Sequence, residues 1–314
     1  MTKMTPRERF LAAVHGRKVD RVPTTAWVHF LSDHLTGEET ARLHERFLKT
    51  YRWDLAKVMS DYRYPVPDSL RDLQDPASLR AFEPVRLDHP AFAQQLDCLA
   101  RLRAAMGSDF PLLETGFDPY QSIVRNVGRD QQEHLWRHRA EALRALETVT
   151  ESIRDYLGEL KRIGVDGFFY SINSAIPEGF PRGSRREVYD TFLRPFDLEV
   201  LAAAQGMVRV LHVHGTGVDL DRIDGYPFEV LSLSDRSPNN PTLRALRERT
   251  DRCLMGGIDE SGFPDMSLGM LARQVDDAVE QAGREGFILA PGCALPSFSP
   301  RRSLQFLREY ADRI

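Results

Sequence analysis

Val210-Leu211-His212-Val213-His214-Gly215 reads as a strand that ends in two imidazoles and stops at a glycine. Residues two apart on a strand project to one face, so the rings of His212 and His214 stand side by side where the strand ends. Far downstream, Pro291-Gly292-Cys293 follows another apolar run and supplies a thiol at a second strand end. Two imidazoles and a thiolate are a donor set for zinc. Three protein ligands with a fourth position open is the arrangement of catalytic zinc, since structural sites are closed by four side chains.

Working outward, short apolar runs recur with helical patterns between them. They span residues 21–30, 55–61, 111–117, 167–172, 209–215, 230–235, 253–258 and 287–292. Several are nearly continuous rather than alternating, as in parallel strands covered by helices on the outside. Leu96, Leu99, Leu102 and Met106 recur at helical spacing, as do Leu143, Leu146, Val149, Ile153 and Leu157. Eight rounds of strand and helix predict an α/β fold, a single (β/α)8 TIM barrel over residues 1–314. Thr5-Pro6-Arg7-Glu8 forms a capping box that opens an N-terminal capping helix closed by Gly16, and Ser299-Pro300 opens the last helix. A doubly wound sheet is the competitor, but no Gly-x-Gly-x-x-Gly follows an early strand.

The chain has 314 residues, 42% hydrophobic, with a formal net charge of −4 and no basic patch. These values point to a small-molecule substrate and away from nucleic acid or a membrane surface. No segment reads as a signal peptide or a bilayer span, and Cys98, Cys253 and Cys293 are too few and too odd in number for a disulfide framework. A cytoplasmic protein is expected. Oligomeric state is not legible.

In a barrel the active site is built at the C-terminal strand ends, which selects Asp61, Glu114, Asp118, Tyr170, Asn173, His212, His214, Asp235, Asp259 and Cys293. The two histidines read evenly as metal ligands or as polar strand caps. Cys293 gains weight only from its place after Gly292, because free cysteine is commonly a buried small hydrophobe. Cys253 begins its strand and Cys98 lies in a helix, so both read as core. Asp61 is the candidate acid or base, or else a helix cap or ion-pair partner of Arg63. Tyr170, Asn173 and Arg63 are candidates for holding substrate, with loop-satisfying polarity as the other reading. Arg182, Arg185 and Arg186 form a basic cluster that reads as a solvated face or an anion site.

These residues carry a resemblance. Thr5-Pro6-Arg7-Glu8-Arg9-Phe10-Leu11-Ala12-Ala13, then Asp20-Arg21-Val22-Pro23, and finally Gly292-Cys293-Ala294-Leu295-Pro296 look like the anchors of the uroporphyrinogen decarboxylase superfamily. That superfamily contains porphyrinogen decarboxylases and zinc-dependent methyltransferases that act on methylated corrinoids. The decarboxylases carry Met-Arg-Gln-Ala-Gly-Arg after the first strand to grip carboxylates; here the stretch is Trp27-Val28-His29-Phe30-Leu31-Ser32-Asp33-His34, without arginine. The methyltransferases show His-x-Cys and a later Gly-Cys. This chain matches at His212 and Cys293, with His214 in place of the first cysteine. The resemblance therefore implies zinc-dependent methyl transfer, with a corrinoid on a partner protein as donor and a metal-activated thiol or related acceptor. Exchange of a thiolate for imidazole leaves the zinc a stronger Lewis acid, which puts the thiol acceptor in question. Metal-independent decarboxylation through Asp61, and a non-catalytic tetrapyrrole or corrinoid binder, are the competing expectations.

Overall fold

The computed structural model describes residues 3–71, 76–128 and 132–314. Among the described residues seven strands form one parallel sheet in sequential order: β1 (Ala56–Val58), β2 (Leu112–Phe117), β3 (Gly167–Ile172), β4 (Val208–Val213), β5 (Val230–Leu233), β6 (Cys253–Ile258) and β7 (Phe287–Pro291). Helices connect them, among them Pro90–Met106 and Arg139–Ile163, which carry the two apolar stripes read from the sequence. The fold is α/β and TIM-barrel-like.

The eighth expected strand, residues 21–30, is not a regular strand. It is extended and makes only isolated parallel bridges, Thr24 to Leu289 and Val28 to Leu295. The cause is local: Pro23 has no N–H, and the Thr24 N–H is taken by the Asp54 carboxylate at 2.9 Å. Even so, the segment bonds to both edges of the sheet. Leu289 N–H donates to Pro23 O at 2.9 Å and Thr25 N–H to Leu289 O at 3.1 Å, while on the β1 side Asp54 N–H donates to Thr24 O at 3.0 Å.

Pleating sorts the strand residues into two cores. One face of each strand meets the helices, with Val58, Leu112, Phe168, Tyr170, Leu211, Leu231, Leu254 and Leu289 in a large buried cluster. The other face supplies Leu55, Met59, Leu113, Phe169, Val210, Val230, Cys253, Met255 and Ile288 to a separate cluster. Helix α1 (Pro6–Val14) adds Phe10, Ala12, Ala13 and Val14 to that second cluster, at the end where β6 begins. Full burial of the larger of these, Phe10 and Val14, contributes roughly 1.5–3 kcal/mol apiece. The Thr5 capping box is formed, and Gly16 follows the helix at φ 63°. Arg9 anchors α1 from within: its guanidinium is buried and bonds Asp20 at 2.6 Å and Asp54 at 2.8 Å, and Arg21 clasps the same Asp54.

Among the described residues no helix is long and apolar enough to cross a membrane.

Candidate metal centre

The face that carries Val210 continues to His212 and then His214. Register places Ser171, His212 and Ser232 abreast on β3, β4 and β5, so the first imidazole sits between two small hydroxyl residues rather than against a bulky neighbour. The Ser232 Oγ lies 3.2 Å from His212 Nδ1 and fixes the ring, which leaves Nε2 directed elsewhere. Phe169 lies 5.1 Å from the same imidazole, centroid to centroid. Burial pushes the His212 pKa well below its ordinary value, and the nearby His214 and Lys57 push the same way, so the ring is held neutral as a ligand must be.

Cys293 arrives from the loop after β7. Gly292 permits the approach: a Cβ there would come within 2.6 Å of Ser234 Cα and 3.1 Å of Leu233 O. The Cys293 sulfur lies 3.6 Å from His214 Nδ1. One donor atom from each of His212, His214 and Cys293 falls within 4.8 Å of the others. Ligand atoms around tetrahedral zinc are separated by about 3.3–3.6 Å, given bond lengths of about 2.0–2.3 Å. The sulfur and His214 already stand at that spacing, so the donor set fits the ion with a small closing movement. Burial raises the Cys293 pKa against the opposing charge of Lys57.

The triad opens into a chamber of about 510 Å³. Its apolar walls include Trp27, Met59, Phe117 and Phe169; its polar lining includes Ser171, Asn173, Gln121, His29, Lys57, Arg125 and Arg182. Among the described residues no carboxylate lines it. Asn173 is thus brought to the site, its backbone N–H held by Asp118 at 2.8 Å and its side-chain oxygen accepting from Arg182 at 3.3 Å.

Other predicted positions lie elsewhere. Tyr170 is one residue out of phase with Phe169 and Ser171, and the pleat turns it outward, where its hydroxyl donates to the buried Asp197 at 2.7 Å. Arg63 is exposed and opens on a neighbouring small cleft with Tyr64 and Glu114. Asp61 does not line the chamber: its oxygens accept from Ser32 N–H and Oγ, both at 3.0 Å, and lie 2.7 Å from His29 Nδ1. Burial opposes its ionisation, but His29 and Ser32 outweigh burial and hold its pKa at about 2. The carboxylate instead holds His29, whose ring does line the chamber. Asp118 caps the helix Pro119–Val127, Asp235 accepts from Gly257 N–H, and Asp259 closes a turn onto Ser261 and Gly262. Of the basic cluster, Arg182 reaches the chamber while Arg186 pairs with Asp190.

His29 and Lys57 were not singled out from the sequence. The signal was present in the alternation: Lys57 shares a face with Leu55 and Met59, hence with the interior.

A family model described as uroporphyrinogen decarboxylase matches residues 55–314. No curated protein matches significantly. Among solved structures, a methyltransferase from Methanosarcina mazei is similar over 99% of both chains at a TM-score of 0.81 and 18% identity. A putative vitamin-B12-independent methionine synthase from Listeria monocytogenes is similar over 94% of this chain and 96% of its own, with TM-score 0.58 and 13% identity. A methionine synthase of the same kind from a Shewanella species, in complex with selenomethionine, covers 93% and 92% at TM-score 0.54 and 13% identity. At these identities the likeness is one of fold.

Proposed function

The chain belongs to the uroporphyrinogen decarboxylase family, and from that premise we propose that it is a zinc-dependent methyltransferase of the corrinoid-using branch. The observation that carries this reading is the convergence of His212, His214 and Cys293, remote along the chain, on donor atoms within 4.8 Å of one another. When bound there, zinc supplies Lewis acidity that lowers the pKa of a thiol or hydroxyl acceptor. The protein's own groups do the rest. Ser232 orients His212, and the aromatic walls keep water from the acceptor. Asn173, Arg125 and Arg182 orient it from the polar side. A small molecule is the acceptor, and the methyl donor is a corrinoid carried by a partner protein.

The bonds from residues 23–28 to both sheet edges support a closed (β/α)8 barrel with that segment as its eighth stave. The seating of α1 in the interior cluster supports its role as a cap on a single domain of residues 1–314. A cytoplasmic location suits a site that needs a reduced Cys293. Decarboxylation through Asp61 is the weaker reading, because that carboxylate is occupied by His29 and Ser32 and stands behind the chamber wall.

The test is elemental analysis of untagged, full-length protein. One zinc per chain is expected, lost in Cys293→Ala while circular dichroism is unchanged. A folded wild-type protein that takes up no zinc on incubation with the ion overturns the reading.

A further inference from the structure

Lys57 stands out among the buried groups that the metal centre leaves unused. It projects from β1 into the chamber and is only 6% exposed. Its ammonium lies 4.5 Å from the Phe169 ring centroid and 5.1 Å from that of Trp27, and its hydrogen-bond acceptor is the Met59 thioether. Among the described residues no carboxylate comes within ion-pair distance of it. An uncompensated buried ammonium costs several kcal/mol, so a residue kept there in the charged form alone is a poor structural choice.

The choice of residue type is informative. The chain has 42 lysines and arginines, of which five are lysine: Lys3, Lys18, Lys49, Lys57 and Lys161. Four of these are exposed, and Lys57 is the one inside. Arginine cannot lose its proton in a protein and would serve any purely electrostatic task in a chain that uses it almost everywhere else; lysine can become a neutral amine. A desolvated lysine in an apolar pocket is the arrangement that makes the amine a nucleophile.

We propose that Lys57 is a covalent-capture site for a small aldehyde or ketone, condensing with its carbonyl inside the chamber to form an imine. The Nζ lone pair forms the C–N bond as the carbonyl π pair moves to oxygen. Both protons of the neutral amine then leave with that oxygen as water. Burial supports the step by pushing the Lys57 pKa down to about 7. The chamber's volume of about 510 Å³ accommodates the adduct beside the aromatic walls. The inference is independent of the metal, since the amine and the carbonyl suffice.

The experiment uses full-length protein, both zinc-loaded and chelator-treated, incubated with acetaldehyde at neutral pH and reduced with borohydride, followed by site-resolved mass spectrometry. A tenfold gain in free-amine fraction accompanies each unit of lowered pKa, so Lys57 is expected to take the ethyl group roughly tenfold or more faster than each exposed lysine. In Lys57→Arg, labelling of Lys3, Lys18, Lys49 and Lys161 continues at the wild-type rate. Labelling of Lys57 no faster than the exposed lysines in either metal state overturns the proposal, whatever the zinc analysis shows. The wild-type comparison is internal and stands even if the variant does not fold.

Discussion

Replacement of Glu114 by glutamine should flatten part of the pH dependence of stability. Glu114 lies on β2, facing the helices, and is 1% exposed. It accepts from Gln95 Nε2 at 2.8 Å and from the Tyr156 hydroxyl at 2.9 Å, yet burial dominates and lifts its pKa from 4.5 to about 8. The side chain is therefore a neutral acid at pH 7. Because the folded pKa is raised, the unfolded chain releases its proton first, and the native state is progressively disfavoured as pH rises from about 4.5 towards 8. Between pH 5 and pH 8 the lost stability amounts to about 3–4 kcal/mol from this one group. Urea unfolding of wild type and Glu114→Gln at half-unit pH steps is the assay. The variant is expected to begin near or below wild type at pH 5, for want of ideal hydrogen bonding, and to overtake it by pH 8. Parallel stability curves across that interval would refute a buried neutral carboxyl.

Two further outcomes follow from the geometry. Ser232→Ala removes the partner of His212 Nδ1 and should weaken zinc binding about 10–100-fold in a competition titration with a chromogenic chelator, with little change in melting temperature. Unchanged affinity would show that the ring is oriented by packing against Phe169 alone. Arg9→Ala leaves Asp54 and Asp20 with one cation fewer beneath α1 and should cost about 3–5 kcal/mol in chemical denaturation, against less than about 1 kcal/mol for Arg42→Ala in its exposed helical pair with Glu38. Equal losses would argue against a buried anchor.

Seven of the eight apolar runs are strands, because buried parallel strands announce themselves as continuous Val, Leu, Ile and Phe. Residues 21–30 fall short because Pro23 and the Thr24–Asp54 bond interrupt a ladder that hydrophobicity alone cannot reveal. The two imidazoles and the distant thiol were legible from strand-end position, and the structure brings their donor atoms together. Tyr170 shows where position is too coarse a filter. Being near a strand end says nothing of which face a side chain takes, and the parity that pairs Ser171 with His212 sends Tyr170 outward. Arg63 and Asp61 depend on loop paths beyond β1, which no periodicity encodes. Lys57 has no strand-end position to mark it, and only Leu55 and Met59 on the same face of its strand place it in the interior.

The dry plug that Phe10, Ala13 and Val14 form with Leu113, Val210, Val230 and Ile288 has a kinetic corollary. None of these side chains borders the chamber, so among the described residues its α1-facing end is closed by packed apolar groups. In the proposed methyl transfer both reactants would then enter from the strand C-terminal side, and the bulkier, docked first, would stand in the path of the smaller.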